Sequence, residues 1–232
     1  MKAMILAAGR GERMRPLTDT CPKPLLQVGG KPLIVWHLER LAEAGFCEVV
    51  VNHAHLGALI ETALGDGQRW NLRIEYSAEP EGALETAGGI AQAMPMLGEA
   101  PFLVINGDIF CDWNPRLALV GLRSGKLARL VLVPNPPQHP NGDFTFNGTA
   151  VSAIGTGTSG VPGTRYTFSG IGIYRPELFA GIVPGTRAKL APLLVNAMNR
   201  SVVEGELHSG TWIDVGTPER LAVLDATVLP TR

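Results

Sequence analysis

Residues 6–18 read LAAGRGERMRPLT, and residues 21–34 continue with CPKPLLQVGGKPLI. The apolar residues 4–8 predict a short buried strand, which Gly9 and Gly11 then break. The basic side chains of the same segment are Arg10, Arg13, Arg15, Lys23 and Lys31. Glycines let backbone N–H groups approach an anion closely, and cations offset its charge. The segment therefore predicts a phosphate-binding loop directly after the first strand.

This loop differs from the two commonest phosphate loops. A dinucleotide-binding fingerprint has a third glycine three residues after Gly11, where this chain has Met14, and a helix that Pro16 disfavours. A Walker A loop ends in Gly-Lys-Ser/Thr, whereas the Gly-Lys pair of this chain is followed by Pro32. The ordered motifs G-x-G-x-R, R-P-L-T and P-K-P-L therefore define a different kind of site.

Two later motifs complete the pattern, NGD at residues 106–108 and WIDVGTP at residues 212–218. Together the motifs resemble those of the sugar-nucleotide pyrophosphorylases, nucleotidyltransferases that join a sugar 1-phosphate to a nucleoside triphosphate. Residues 83–89, ALETAGG, and the short length most resemble the bacterial N-acetylmuramate 1-phosphate uridylyltransferases. This resemblance implies Mg²⁺-dependent uridylyl transfer from UTP to N-acetylmuramate 1-phosphate, with release of pyrophosphate, in peptidoglycan recycling.

Composition sets the class of protein. The chain has 232 residues, of which 45% are apolar, and a formal net charge of −1. We expect one domain over residues 1–232 and small-molecule substrates as partners, with no general attraction to nucleic acid or membranes. Neither a membrane-spanning run nor a signal peptide is recognisable, and no hexapeptide repeats predict a C-terminal β-helix. The three cysteines lack C-x-x-C spacing, so a cytoplasmic protein without a disulfide framework or zinc site is expected. The oligomeric state stays open.

Apolar runs alternate with amphipathic stretches through the first half of the chain. The predicted strands are residues 48–51, 72–76, 101–106 and 129–133, and the predicted helices are residues 32–44, 56–64 and 86–96. Strands that alternate with helices of this length predict an α/β fold with a three-layer αβα, Rossmann-like architecture around a mostly parallel sheet.

The pattern changes after residue 134. Residues 135–163 are rich in Gly, Pro, Asn and Thr, which predicts hairpins and loops, and residues 166–174 predict a strand. We expect residues 135–175 to form a small β-rich subregion on the sugar side of the site, as a lid. The remaining predicted elements are a helix at 188–200, a strand at 211–215 and a helix that begins after Thr217.

Arg13 and Lys23 are the predicted catalytic residues. Nucleotidyl transfer places negative charge on the α-phosphate and on the departing pyrophosphate, and fixed cations stabilise that charge. In the resembled family these roles belong to the Arg of G-x-G-x-R and the Lys of P-K-P, which match Arg13 and Lys23. A single arginine is more often a solvated side chain, but two cations placed by motifs beside a glycine loop favour the catalytic interpretation.

Two aspartates are the predicted ligands of Mg²⁺, which prefers oxygen donors. Asp108 follows the strand 101–106, and ligands of open α/β sheets bind beyond the carboxyl ends of strands. Asp214 comes out of another apolar strand just before a helix start. The resemblance assigns both to the metal. The structural alternatives are an Asx turn or helix cap for Asp108 and a carboxylate satisfied by neighbouring amides for Asp214. Asp112 and Asp143 fit solvated turns.

The resemblance also assigns residues to the two substrates. The nucleotide would contact Ala7, Ala8, Gly9, Arg10, Gly11, Glu79, Gly82, Ala83 and Gly107. The sugar would contact Asn106, Gly142, Ser169 and Gly170. Glycine within a strand, as at Gly170, indicates close approach by a ligand or by backbone.

The base and the sugar stay open on physical grounds. Glu85 stands where the commoner L-G-T-A-G form has glycine, and it could accept from uracil, accept from guanine or be a solvated first-turn acid. A muramyl sugar carries a lactyl carboxylate, for which residues 135–163 could make room. His139, Arg165, backbone N–H groups or solvent could then meet its charge.

Other functions fit parts of the pattern. The nearest rival is a mannose 1-phosphate guanylyltransferase, followed by a glucose 1-phosphate thymidylyl- or uridylyltransferase. A non-catalytic regulatory subunit of the same fold would be expected to lack the Arg, the Lys or a metal Asp, and this chain has all of them. A dinucleotide-binding oxidoreductase would need an acidic residue where this chain has Asn52.

Overall fold

The computed structural model describes residues 1–80, 82–155 and 163–228. The strands within these ranges are β1 (Ala3–Leu6), β2 (Gln27–Val28), β3 (Lys31–Pro32), β4 (Glu48–His53), β5 (Arg73–Ala78), β6 (Phe102–Asn106), β7 (Ile109–Cys111), β8 (Ala128–Val133), β9 (Phe144–Phe146), β10 (Val151–Ala153), β11 (Thr164–Tyr174), β12 (Val203–Leu207) and β13 (Trp212–Asp214). The α-helices are α1 (Leu33–Ala44), α2 (Gly57–Leu64), α3 (Glu85–Leu97), α4 (Leu190–Asn199) and α5 (Pro218–Val228). None of them, among the residues described, is long and apolar enough to cross a membrane.

The largest sheet has the strand order β10-β9-β11-β6-β1-β4-β5, and β8 joins it by pairing with β11 and β12. The α/β prediction is confirmed. Pairing is parallel, as expected, between β5 and β4, between β4 and β1 and between β1 and β6. It is also parallel between β8 and β12. The sheet is mixed because β11 runs antiparallel to β6, β8 and β9. This strand follows a hairpin region rather than a crossover helix, so it can enter the sheet in the opposite direction.

Helices cover both faces of the sheet, which confirms the three-layer arrangement. On one face, α1 and α2 pack with alternate side chains of the parallel strands, including Ile5 and Val51. On the other face, α3 and α4 pack against the intervening positions, including Met4 and Val50. Side chains of a strand alternate between faces, and a strand buried on both faces is apolar throughout. Polar residues follow these apolar runs at the carboxyl ends of the parallel strands, such as Asn52 in β4 and Asn106 in β6. The site described below forms at this edge of the sheet.

Local signals fix several element ends. Helix α1 ends before Gly45, and α5 begins after Thr217, whose hydroxyl oxygen accepts from the N–H of Arg220 at 3.4 Å. Both ends were predicted. The short strands β7 and β12 were not predicted, because neither has a long apolar run and each depends on a distant partner, β13 and β8 respectively.

The phosphate loop after β1 contains short 3₁₀ turns, at Glu12–Met14, Leu17–Asp19 and Lys23–Leu25. Met14 is fully buried and packs with Leu26, Val28 and Leu224 of α5. The hydroxyl of Thr18 donates to the carbonyl oxygen of Gly11 at 2.8 Å, which closes the loop on itself. Among the described residues, no α-helix follows β1 directly, as predicted from Pro16. The buried side chain of Met14 and the contact between Thr18 and Gly11 hold the loop in which Lys23 lies.

Candidate active site

Two adjoining cavities lie beyond the carboxyl ends of the parallel strands. The first has a volume of about 330 Å³ and is lined by Leu6, Ala7, Ala8, Gly9, Lys23, Pro24, Asn52, Glu79, Gly82, Ala83, Glu85, Thr86, Asn106, Asp108 and Arg187. The second has a volume of about 300 Å³ and is lined by Asn106, Asp108, Ile109, Pro136, Gln138, His139, Asp143, Thr167, Phe168, Ser169, Gly170, Trp212 and Asp214. Asn106 and Asp108 belong to both linings, so the end of β6 separates the two cavities.

An ion pair stands at the junction of the cavities. Nζ of Lys23 lies 2.5 Å from Oδ2 of Asp108. The lysine side chain is 8% exposed and the aspartate side chain 39% exposed. The ammonium group is therefore enclosed by protein, while the carboxylate remains accessible to solvent. Lys23 leaves its 3₁₀ turn toward the end of β6, and Asp108 lies in the turn between β6 and β7. A fixed cation therefore lies where the two cavities meet.

Asp214 lies beside Asp108 in the small sheet formed by β7 and β13. Its register partner is Ile109, and the N–H of Val215 donates to the carbonyl oxygen of Asp108 at 3.0 Å. Oδ2 of Asp214 lies 2.7 Å from Nη1 of Arg220 in α5. Asp108 and Asp214 both line the second cavity. Their cationic partners, Lys23 and Arg220, lie outside the lining of that cavity.

Asn52 at the end of β4 connects the phosphate loop to the loop that follows β5. Its Oδ1 accepts from the N–H of Ala7 at 2.8 Å, and its Nδ2 donates to Oε1 of Glu79 at 2.5 Å. The other carboxylate oxygen of Glu79 accepts from the N–H of Leu84 at 2.7 Å. Asn52 and Glu79 are buried. Glu79 thus connects the end of β4, through Asn52, with the residue before α3 at the cavity wall.

The predicted nucleotide residues divide into two groups. Those in the lining of the first cavity are Ala7, Ala8, Gly9, Glu79, Gly82 and Ala83. Arg10, Gly11 and Gly107 lie outside that lining. Nη1 of Arg10 donates to the carbonyl oxygen of Thr18 at 2.9 Å, so Arg10 braces the loop. At Gly107 a Cβ atom would lie 2.7 Å from the carbonyl oxygen of Leu6, so glycine is required for β6 to leave the sheet beside β1.

The predicted sugar residues Asn106, Ser169 and Gly170 line the second cavity. A Cβ atom at Gly170 would lie 2.6 Å from Nδ2 of Asn106, so glycine lets this side chain lie against β11. Gly142 lies outside the lining, and its N–H donates to the carbonyl oxygen of His139 at 3.2 Å. Its position in a turn under the cavity wall explains the glycine without a sugar contact.

Arg13 is exposed and lines neither cavity. Within the described ranges it has no ion pair or side-chain hydrogen bond, in contrast to Arg10 and Arg15, which both pair with Asp19. Its side chain is therefore not committed to the fold, and the catalytic role of Arg13 stays a prediction.

A bend in β11 forms the floor of the second cavity. The register of β11 against β8 shifts between Phe168 and Ile171. The hydroxyl of Ser169 donates to the carbonyl oxygen of Val131 at 2.7 Å, and its own carbonyl oxygen accepts from Nε1 of Trp212 at 2.8 Å. The bulge is thus fixed to β8 on one side and to β13 on the other.

Several lining residues were not predicted. In the first cavity they include Asn52, Thr86 and Arg187, and in the second they include Gln138, Asp143, Thr167 and Trp212, whereas His139 was named as a possible partner of the sugar. Asn52 directly follows a predicted strand, so the rule that ligands bind at strand ends could have found it. Asp143, expected in a solvated turn, lies in the cavity wall. Arg187 carries no local signal, because only the packing of the segment before α4 on α3 brings it to the cavity.

A separate group of potential metal ligands lies outside both linings. Cys111, Asp112 and His208 place one ligand atom each within 4.8 Å of one another. Burial raises the pKa of the Cys111 thiol to about 11, so this sulfur stays protonated near neutral pH. Burial also raises the pKa of Asp112, but hydrogen bonds from Thr211 and His208 lower it further than burial raises it. The Asp112–His208 pair is satisfied within the protein, with 2.7 Å between Oδ1 and Nε2.

The chain matches a known protein family along almost its whole length. The family model of nucleotidyl transferases matches residues 2–229, so the chain belongs to this family and is a nucleotidyltransferase. The α/β fold described above agrees with this membership.

Individual relatives refine the comparison. The chain is 57% identical over 224 residues to an N-acetylmuramate alpha-1-phosphate uridylyltransferase of Neisseria meningitidis serogroup B, and the match covers 95% of each chain. It is 32% identical over 240 residues to a mannose-1-phosphate guanyltransferase of Aspergillus fumigatus, covering 94% of this chain and 62% of that enzyme. The resemblance inferred from the motifs is therefore confirmed at the level of the family and of the uridylyltransferase branch.

Solved structures support the fold. One is a Bacillus anthracis protein assigned as a glucose-1-phosphate thymidylyltransferase, whose structure was solved in complex with sucrose. It aligns with a TM-score of 0.84 at 22% identity, over 100% of this chain and 96% of that chain. At this level of identity the likeness concerns the architecture of the sheet and its helices.

Proposed function

We propose that this enzyme transfers a uridylyl group from UTP to N-acetylmuramate 1-phosphate and releases pyrophosphate. The observation that carries the proposal is the pair of adjoining cavities that share Asn106 and Asp108, with Lys23 at their junction. Two substrates bound in separate cavities would have their reacting groups brought together at the shared wall. The relative that is 57% identical over 95% of each chain supports the choice of substrates.

The chemistry needs positioning and charge compensation rather than a covalent intermediate. A phosphate oxygen of the sugar 1-phosphate forms a bond to the α-phosphorus of the triphosphate, and the bond from that phosphorus to pyrophosphate breaks. Lys23 would stabilise the negative charge that develops at the junction, because its buried position fixes the ammonium there before substrate binds. Arg13, exposed at the rim of the loop, would compensate the charge on the departing pyrophosphate.

We further propose that Asp108 and Asp214 hold a Mg²⁺ ion. The donor set fits this ion, since both residues offer carboxylate oxygens to one cavity, and the N–H of Val215, next to Asp214, donates to the carbonyl oxygen of Asp108. The ion would supply positive charge that neutralises phosphate oxygens. The partners Lys23 and Arg220 keep the two neighbouring carboxylates compensated within the protein itself.

The proposed location is the cytoplasm, in the recycling of cell-wall sugars. The described cysteines Cys21, Cys47 and Cys111 are free thiols, which agrees with a reducing compartment. The resemblance to the uridylyltransferase branch supports the pathway.

The rival is guanylyl transfer to mannose 1-phosphate, because relatives with that activity are 32% identical. Glu85 lines the nucleotide cavity and could accept from the two donors of guanine. However, its Oε1 lies 3.4 Å from Nη2 of Arg187, so part of its accepting capacity is engaged. The remaining lone pairs can still accept the single ring N–H of uracil, so this pair is compatible with UTP.

A matrix of substrates tests the proposal. Pyrophosphate release would be measured for UTP and GTP, each with N-acetylmuramate 1-phosphate and with mannose 1-phosphate. We expect the largest kcat/KM for UTP with the muramyl sugar. A larger value for GTP with mannose 1-phosphate would overturn the substrate assignment and leave nucleotidyl transfer intact. No pyrophosphate with any combination would reject the catalytic proposal itself.

A further inference from the structure

The second cavity presents more negative than positive side chains to a sugar. Its carboxylates are Asp108, Asp143 and Asp214. His139 is the single basic side chain among those described residues that line it. Lys23 and Arg220 pair with Asp108 and Asp214 from outside the lining, so the cavity itself offers an acidic substituent little positive charge. Such a substituent would be costly to bury without a partner. Backbone N–H groups, the amide of Gln138 or solvent could donate to it, but His139 is the described lining side chain that can also bring positive charge.

His139 is fixed at the cavity wall by Asp143. Its Nε2 lies 3.0 Å from Oδ1 of Asp143, whose Oδ2 accepts from the N–H of Phe168 at 2.8 Å. The N–H of Asp143 donates to the carbonyl oxygen of Tyr166 at 2.9 Å, so the turn is attached to β11 at two points. The imidazole is thus held in place on one side by a carboxylate that is itself immobilised.

The other side of the ring is available to a ligand. The histidine side chain is 43% exposed, and Nδ1 has no hydrogen-bond partner in the described part of the chain. With a carboxylate on each side, the protonated ring can donate to both at once. A hydrogen bond between a charged donor and a carboxylate is about twice as strong as one between neutral groups.

Arg165 does not offer the same contact. It is exposed, pairs in register with Thr145 of β9, and does not line the cavity. Its backbone carbonyl oxygen accepts from Nδ2 of Asn135, while its guanidinium has no ion pair within the described ranges. Arg165 therefore provides a matched cationic control on the same edge of the subregion.

We propose that His139, held by Asp143, recognises the carboxylate of an acidic substituent on the sugar 1-phosphate and thereby selects acidic over neutral sugars. This inference rests on the proposed function, because the lactyl group of N-acetylmuramate is such a substituent. His139 touches the substituent rather than the reacting phosphate, so it should act on substrate binding and leave the chemical step alone.

The test compares two substrates that differ only in charge, N-acetylmuramate 1-phosphate and its analogue with a lactyl carboxamide. KM and kcat would be measured with UTP for the wild type, for His139→Gln and for the control Arg165→Gln. We expect His139→Gln to raise KM for the acid about tenfold, as for the loss of one charge-assisted hydrogen bond, while KM for the amide and both kcat values stay unchanged. Arg165→Gln should match the wild type on both substrates.

Each outcome decides one question. An unchanged KM for the acid in His139→Gln would overturn the inference, and so would an equal rise for acid and amide, which would indicate a merely structural role. If the wild type used neither muramyl substrate but turned over another sugar 1-phosphate, the proposed function would fail and the inference would fall with it. Normal use of the acid by both the wild type and His139→Gln would remove the inference alone.

Discussion

Lys23 is a charged side chain that the fold encloses almost completely. Burial deprives the ammonium group of its hydration, and the carboxylate of Asp108 at 2.5 Å compensates for that loss. The same contact leaves Asp108 accessible from both cavities. The two residues therefore depend on each other, and a change at one of them acts on the other as well.

Removal of either predicted catalytic cation should slow the reaction strongly. Lys23→Ala and Arg13→Ala should each lower kcat by roughly 100- to 1,000-fold, the typical cost of losing one transition-state donor. Arg200→Ala, at an exposed arginine that ends α4, is the control and should keep full activity. Thermal melting by circular dichroism would verify folding. A folded Arg13→Ala variant with near-normal kcat would contradict the role of Arg13.

The proposed metal ligands predict a specific response to Mg²⁺. Asp214→Asn should lower kcat and raise the Mg²⁺ concentration that gives half-maximal activity, because one of the two charged oxygen ligands is lost. Asp112→Asn removes a carboxylate that pairs with His208 outside both cavities, and its Mg²⁺ dependence should equal that of the wild type. Titrations of activity with Mg²⁺ and with EDTA would measure both. Full activity of the wild type in excess EDTA would exclude the metal.

At the scale of elements, β4 and β5 end in a polar network that joins two loops. Asn52 closes β4 with contacts to the loop after β1, and Glu79 follows β5 with a contact to the start of α3. Both side chains are buried and fully engaged. The network fixes the backbone that lines the first cavity, the proposed site of the nucleotide, and in this role no side chain of the network needs to touch the base.

Loss of this network should weaken nucleotide binding in particular. Glu79→Ala leaves the N–H of Leu84 and the amide of Asn52 without their acceptor, which costs roughly 1–3 kcal/mol of stability. KM for the triphosphate should rise while KM for the sugar 1-phosphate stays close to the wild-type value, because Glu79 lines only the first cavity. Initial-rate kinetics with each substrate varied would measure this. Equal increases in both KM values would argue for general loosening of the fold.

At the scale of the whole molecule, one buried histidine couples stability to pH. His37 of α1 is buried, and its Nε2 lies 2.8 Å from the carbonyl oxygen of Ile109 in β7. Burial lowers the pKa of His37 from 6.5 to about 4. The folded state thus keeps this ring neutral at pH values where the unfolded chain takes up a proton.

The sign of the pH effect follows from that difference. Above pH 6.5 the ring of His37 is mostly neutral in both the folded and the unfolded state. As the pH falls from 6.5 toward 4, the unfolded chain binds a proton at this ring and the folded protein does not. The free energy of unfolding should fall over this window by at most roughly 3 kcal/mol. His37→Gln should show a shallower decline between pH 6.5 and 4, measured by urea unfolding. Identical slopes for the wild type and the variant would contradict the assignment.

Much of this architecture could be predicted from local patterns. The apolar runs of β1, β4 and β6 and the helix ends at Gly45 and Thr217 depend on nearby residues, so the sequence contains their signals. The cation Lys23 and the aspartate Asp108 could be found because motifs mark them.

Other features depend on contacts that are distant in sequence. The antiparallel direction of β11 and its bulge at Ser169 are set by pairing with β6 and β8, which no local pattern encodes. Asp143 looked like a turn residue because its turn is polar, and only the docking of that turn on β11 moves it into a cavity wall. Arg187 reaches the first cavity through the packing of its segment on α3.

The two parts of β11 lie in different environments of the sheet. Its second part, Ile171–Tyr174, pairs with β6 inside the core, whereas its first part, Thr164–Tyr166, pairs with β9 at the outer edge of the sheet. The bulge at residues 168–171 lies between these two parts. We therefore expect insertions and substitutions in the outer ribbon to disturb the parallel strands less than changes in Ile171–Tyr174, so this ribbon is the part of the fold that can vary most freely.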